Sequence, residues 1–234
     1  MVEVVFQHPD FYVVVKPNGI SFNDQKALSH SGVEETEQGF FNQCCAYFNE
    51  ELYPLHRLDK VTSGLMLLGR NKQAAQYFQR AFEQKDVEKI YIALSNNKPK
   101  RKQGSVVGDM EKSRAGQWKL MPTKLKPAKT RFFSFSVDDE KLSRLRLYLL
   151  KPDTGKTHQL RVALKSLSAA ILGDELYNGQ TADRVYLHAY ALRFQYQEQD
   201  FEFYRLPNSG EQFISHQSII SQLVEKPFNH KWPG

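Results

Sequence analysis

Two periodicities interleave along this 234-residue sequence, and together they predict an α+β fold. Short runs that alternate, or that are continuously apolar, read as strands. Longer stretches with apolar residues at i, i+3, i+4 and i+7 read as helices. The two kinds do not follow the regular strand–helix–strand rhythm of a doubly wound sheet. With 41% hydrophobic and 25% charged residues the chain can bury a core. No repeat or low-complexity linker divides it, so a single domain over residues 1–234 is expected.

The elements follow in order. Residues 11–15 are apolar and β-branched and run into Lys16-Pro17-Asn18-Gly19, a strand closed by a turn. Residues 21–38 are polar, with Glu34, Glu35 and Glu37 close together, and read as a surface loop. Phe40, Phe41, Cys44, Tyr47 and Phe48 recur at helical spacing. Leu65-Met66-Leu67-Leu68 reads as a buried strand, and Asn71 is placed to cap a helix striped by Ala74, Tyr77, Phe78, Ala81 and Phe82. Ile90, Ile92 and Leu94 alternate with Tyr91 and Ala93 as in a strand. Residues 97–131 lack periodicity and are strongly basic. Residues 132–137 and 144–150 read as strands, and Leu160, Ala163, Leu164 and Leu167 stripe another helix. Residues 186–194 and 201–204 read as strands joined near Gln199-Asp200. Ile219, Ile220, Leu223 and Val224 predict a closing helix.

A net charge of +6 favours an anionic partner such as nucleic acid. Cys44 and Cys45 are the only cysteines and are adjacent, which excludes a disulfide framework and a cysteine-rich zinc site. The first ten residues carry no basic and apolar leader pattern. No apolar stretch approaches the roughly 18–20 residues of a membrane span. A cytoplasmic protein that does not engage membranes is the expectation.

Two clusters can carry chemistry. His56-Arg57-Leu58-Asp59-Lys60, followed by Thr62-Ser63-Gly64, crowds charged and polar groups into a turn that feeds an apolar strand. Such a turn can hold side chains at the rim of a rigid sheet. Thr154-Gly155-Lys156-Thr157-His158-Gln159-Leu160-Arg161 contains Gly-Lys-Thr, but Leu150 stands where a phosphate loop requires its first glycine. Helical spacing instead puts His158, Arg161 and Lys165 on one face. His56, His158 and His188 are widely separated and fit no metal-ligand spacing, so no metal is expected. The serine elbow of a hydrolase triad is missing, and a glycosidase would need a paired acid.

In this order the segments resemble the RluA-type branch of the pseudouridine synthase family. The resemblance rests on Lys16-Pro17-Asn18-Gly19-Ile20, His56-Arg57-Leu58-Asp59 with Thr62-Ser63-Gly64, and Lys89-Ile90-Tyr91. It also rests on Thr154 to Val162, Ile171-Leu172-Gly173-Asp174 with Tyr177, and Leu187-His188-Ala189. It runs from about Val4 to Phe203. Ser168-Ala169-Ala170 stands where the family often has Gly-x-Pro, and Lys60 and Lys156 stand where Arg is common. Because the motifs begin almost at Met1, the family's S4 RNA-binding module is not expected here.

The resemblance implies a central mixed, largely antiparallel sheet flanked by helices, with the active-site cleft across it. It implies a cofactor-free isomerisation of a uridine in structured RNA, either tRNA or large-subunit rRNA. Asp59 would be the catalytic carboxylate, Arg161 its ion-pair partner and Tyr91 the adjacent ring. Arg57 would help hold the base out of the stack, with His56, Leu58, His158, Gln159 and Leu160 lining the substrate. Lys100, Arg101 and Lys102 are expected on the RNA backbone. No obligate protein partner is evident and a monomer is expected. The rival reading is a catalytically silent RNA-binding or ribosome-assembly protein of the same fold.

Overall fold

A computed structural model describes residues 2–28, 34–137 and 144–234. It divides into two compact units, Met1–Val87 and Glu88–Gly234. In the first, β1 (Glu3–Gln7) pairs antiparallel with β2 (Phe11–Lys16). A small hairpin of β3 (Gln25–Leu28) and β4 (Glu34–Glu37) is followed by α1 (Phe40–Phe48) and β5 (Tyr53–Pro54). Then come β6 (Ser63–Gly69), antiparallel to β2 and β5, and α2 (Lys72–Gln84). Every residue of β2 and β6 is buried, which is why Leu65–Leu68 is continuously apolar rather than alternating.

Asn71 caps α2 as its position predicts: Oδ1 accepts from the Ala74 N–H at 2.8 Å, and Nδ2 donates to Asp10 at 2.7 Å. The helix buries Ala74, Phe78 and Ala81, and Phe78 meets Phe11 edge-on at 5.5 Å. Burying one such phenyl contributes about 2 kcal/mol. Residues 21–38 differ from the expected loop. Most of their described part forms the β3–β4 hairpin, and residues 29–33 of that stretch lie outside the described residues.

The second unit contains β7 (Glu88–Ser95), β8 (Gln103–Lys112), β9 (Trp118–Met121), β10 (Ala128–Ser136) and β11 (Arg146–Pro152). These are followed by α3 (Gln159–Ser166), β12 (Leu187–Tyr196), β13 (Gln199–Tyr204), α4 (Glu211–Ser215) and α5 (Gln217–Leu223). The strand order is β13-β12-β7-β11-β10-β8-β9, and each of these pairings is antiparallel. α3 packs over β8–β11. The basic stretch 97–131 is therefore not irregular: it supplies β8, β9 and the start of β10. The β12–β13 turn is Gln197-Glu198, two residues before the expected Gln199-Asp200, and both residues are left-handed with φ of 48° and 64°.

His188 on β12 is a structural residue. It is 1% exposed, and Nε2 donates to the Arg205 carbonyl at 2.8 Å. Burial pulls its pKa down to about 3, so the folded chain refuses a proton that the unfolded chain takes below its ordinary value of 6.5. The stability associated with neutral His188 is present above that value and is lost as pH falls from 6.5 toward 3. Replacing His188 by glutamine is expected to remove about 1 kcal/mol of the stability change between about pH 6.5 and 5.5. Urea unfolding of both chains at the two pH values measures this, and identical pH dependence would exclude it.

Candidate active site

The first set of residues lies on the loop between β5 and β6. Leu58 is 4% exposed and anchors the loop, while Arg57 on one side is exposed and Asp59 on the other is half-buried. His56 accepts the Leu67 N–H on Nε2 at 2.9 Å and packs against Phe82 at 5.1 Å. That bond requires Nε2 to be unprotonated, so His56 orients the loop from the strand below it. The Asp59 carbonyl accepts the Thr62 N–H at 3.0 Å, which closes the turn.

A residue that reads in the sequence only as part of a turn holds this loop from the other side. Lys16 ends β2 at 0% exposure, and its ammonium donates to Pro17, Ile20 and Lys60 carbonyls at 2.8, 2.7 and 3.2 Å. Gly19, at φ +83°, adds its N–H to the Lys60 carbonyl at 2.9 Å. An ammonium has three protons, and here three carbonyls receive them, so the Lys16–Ile20 turn and the Asp59 loop are fixed as one piece. Lys16→Met fits the volume but leaves those acceptors buried. It is expected to cost about 2–3 kcal/mol in urea unfolding, and a loss below about 0.5 kcal/mol would exclude the clamp.

The second set lies in Glu88–Gly234. On β7, Tyr91 is 8% exposed and shares a strand face with Lys89, opposite Ile90 and Ile92. Burial holds the Lys89 ammonium below the usual lysine range. Its Nζ sits 4.0 Å from where a β-carbon on Gly155 would lie, beneath the loop that enters α3.

Gln159 locks that loop. Its Oε1 accepts from Thr154 Oγ1 at 2.7 Å and from the Lys156 N–H at 3.0 Å. Its Nε2 donates to the Lys129 carbonyl and to Thr130 Oγ1, each at 3.0 Å. All four bonds of the amide are made within the protein. Gln159 and Leu160, at 5% and 7% exposed, are buried at the start of α3.

His158, Arg161 and Lys165 share a face, as their spacing predicts, and that face closes on Tyr177 rather than on solvent. Tyr177 Oη accepts the Trp118 N–H at 2.9 Å and lies 2.8 Å from His158 Nδ1. The Arg161 guanidinium stacks 4.8 Å and the Lys165 ammonium 5.5 Å from the Tyr177 ring centre. Arg161 makes a buried fork to Asp174, with Nε and Nη2 each 2.7 Å from a carboxylate oxygen and the side chains 5% and 1% exposed. Asp174 takes two of the five guanidinium donors and fixes the plane of the rest. The Asp174 carbonyl in turn accepts the N–H groups of Tyr177 and Gly179, so the 171–179 loop and α3 are tied together. Asp174 and Tyr177 were legible only as motif members. No periodicity links Arg161 to a carboxylate thirteen residues on.

Lys100, Arg101 and Lys102 are exposed ahead of β8. Among the described residues no group of acidic, histidine or cysteine side chains is arranged to hold a metal ion, and no helix is long and apolar enough to cross a membrane.

The family model for RNA pseudouridylate synthases matches residues 10–166, a span that contains Asp59, Tyr91 and Arg161. The chain belongs to this family. An uncharacterized RNA pseudouridine synthase of Haemophilus influenzae is 45% identical over 98% of this chain and 99% of its own length. The dual-specificity RNA pseudouridine synthase RluA of Vibrio parahaemolyticus is 29% identical over 82% of this chain and 77% of its own. A ribosomal large subunit pseudouridine synthase D of Borreliella burgdorferi is 29% identical, and the match spans 63% of its length. Among solved structures, human RNA pseudouridylate synthase domain containing 1 shares the fold with a TM-score of 0.75 at 22% identity. That match covers 100% of this chain and 97% of the human one. The resemblance to the RluA-type branch and the α+β fold are thus established, and the family's enzymes are isomerases.

Proposed function

We propose that the chain isomerises a specific uridine to pseudouridine in structured RNA, either tRNA or large-subunit rRNA, acting as one catalytic domain. The observation that carries this reading is the half-buried Asp59 on a loop anchored by Leu58, His56 and Lys16, within the span matched by the family. The target bond lies inside a stack, so the nucleotide must be flipped out at a cost of a few kcal/mol. The exposed planar Arg57 suits that task, and Tyr91 offers a ring for the extruded base.

The N1–C1′ bond then breaks, the uracil turns, and C5 bonds to C1′. Asp59 can attack C1′, stabilise positive charge there, or take the C2′ proton. Arg161, its plane fixed by Asp174, supplies positive charge for the reaction. The Tyr91 hydroxyl can relay the proton finally lost from C5. Bonds broken and formed balance within one nucleotide, so no redox partner or external nucleophile enters. His158 borders the bound nucleotide, whereas Leu58, Gln159 and Leu160 act through the residues they hold. Lys100, Arg101 and Lys102 contact phosphates, and the protein works as a cytoplasmic monomer.

The test is incubation with unmodified tRNA and large-subunit rRNA transcripts, followed by mapping pseudouridine through carbodiimide-dependent reverse-transcription stops. A stop at one or a few uridines is expected. Binding of both RNAs without any stop would favour the silent RNA-binding reading.

A further inference from the structure

Leu125 is 89% exposed, at the tip of the loop between β9 and β10. A lone exposed leucine is ordinary, but this one is held in place. Asp109 at the edge of the loop accepts the Leu125 N–H on Oδ2 at 2.9 Å and the Lys126 N–H on Oδ1 at 2.8 Å. Its own N–H donates to the Thr123 carbonyl at 2.9 Å. Pro122 and Pro127 bracket the same six residues. One carboxylate thus staples a short loop so that its most apolar side chain points into water.

The surroundings are basic. Lys124 and Lys126 flank the leucine and are exposed, as is Lys156 from the neighbouring loop. The Leu125 N–H, the Thr123 side chain, the Lys126 N–H and the Lys156 charge together hold the Asp109 carboxyl below the usual aspartate range. Lys156 belongs to the loop that Gln159 locks at the entrance to α3. The ridge is distinct from Lys100, Arg101 and Lys102: six residues lie between Lys102 and Asp109, and the strand they belong to puts roughly 23 Å between the two.

We propose that Leu125 is an RNA-contacting wedge, packing against bases of the substrate while Lys124, Lys126 and Lys156 hold the phosphates on either side. Leucine is among the side chains that enter base steps and unstack them, and lysines around it supply the attraction that brings the backbone near. The stapled loop lowers the entropy lost when the wedge engages. This inference rests on the reading that the substrate is RNA. A protein partner would leave the three lysines without phosphates to neutralise.

The experiment measures Kd for unmodified tRNA and unmodified large-subunit rRNA transcripts across a potassium chloride series. Leu125→Ala is expected to weaken binding roughly fivefold to tenfold at every salt concentration, with an unchanged salt slope. Leu125→Phe should restore it. Lys124→Gln with Lys126→Gln should instead flatten the slope of log K against log salt by about 0.7–0.9 for each phosphate no longer neutralised. The side chains are exposed, so folding is not at stake. If the unaltered chain binds and modifies RNA while Leu125→Ala binds as it does, the wedge is wrong and the proposed function stands. If the unaltered chain binds neither RNA, both fail together.

Discussion

Asp59→Asn is expected to reduce isomerisation by at least about 10³-fold while leaving RNA affinity unchanged. The carboxamide has the shape of the carboxylate but neither its charge nor its nucleophilicity. Each of the three routes open to Asp59 requires one or the other. The loop keeps three anchors in the variant: Leu58 is buried, His56 accepts the Leu67 N–H, and the Thr62 N–H reaches the backbone carbonyl of residue 59. Tritium release from RNA labelled at uridine C5 reads the chemistry, and a filter-binding titration reads affinity. Activity within about tenfold of the parent, about 1.4 kcal/mol, would remove Asp59 from its role.

Asp174→Ala is expected to destabilise the fold by about 3–5 kcal/mol, because it strands a buried guanidinium. Arg161 and Asp174 are 5% and 1% exposed and face each other through two 2.7 Å bonds, so water has little access to replace the missing partner. Trp118 and Trp232 both lie in Glu88–Gly234, so tryptophan fluorescence during urea unfolding reports on this unit. Replacing the pair together, Arg161→Met with Asp174→Leu, should recover much of that stability, since apolar substitutes need no desolvation. It should not recover isomerisation if Arg161 has the electrostatic part proposed for it. A stable double variant with normal activity would leave the pair purely structural. A stable single Asp174→Ala variant would show that the fork contributes little.

The parts of the fold legible in the sequence are those whose pattern is local. Leu65–Leu68 reads as a buried strand because both faces are covered. α2 reads correctly because Asn71 and the Ala74–Phe78–Ala81 stripe lie within one helix. The β3–β4 hairpin was hidden because β4 is Glu-Glu-Thr-Glu and has no apolar face to announce a strand. β8 was hidden for a related reason: in Gln103–Lys112 only Val106 and Gly108 are buried, so the strand shows no alternating apolar face even though it pairs with both β9 and β10.

The site divides along the same line. The Asp59 turn and the His158–Arg161–Lys165 face stand out as local clusters. The groups that orient them do not, because Lys16 reaches Lys60 across forty-four residues and Arg161 reaches Asp174 across thirteen. Such contacts are set by packing geometry, on which periodicity is silent.

The Gln197-Glu198 turn bears on the order of folding. Two consecutive left-handed residues, neither of them glycine or asparagine, cost about 1–2 kcal/mol each. The turn therefore resists closing by itself and cannot seed the β12–β13 hairpin. What draws those strands together is the cluster of Phe194, Phe201 and Phe203, with ring centres 5.5 and 6.1 Å from Phe194. The hairpin is therefore expected to form by collapse of its aromatic middle, with the reversal of the chain completed afterwards. Its contribution to the folding transition state should sit in the phenylalanines and be nearly absent from the turn.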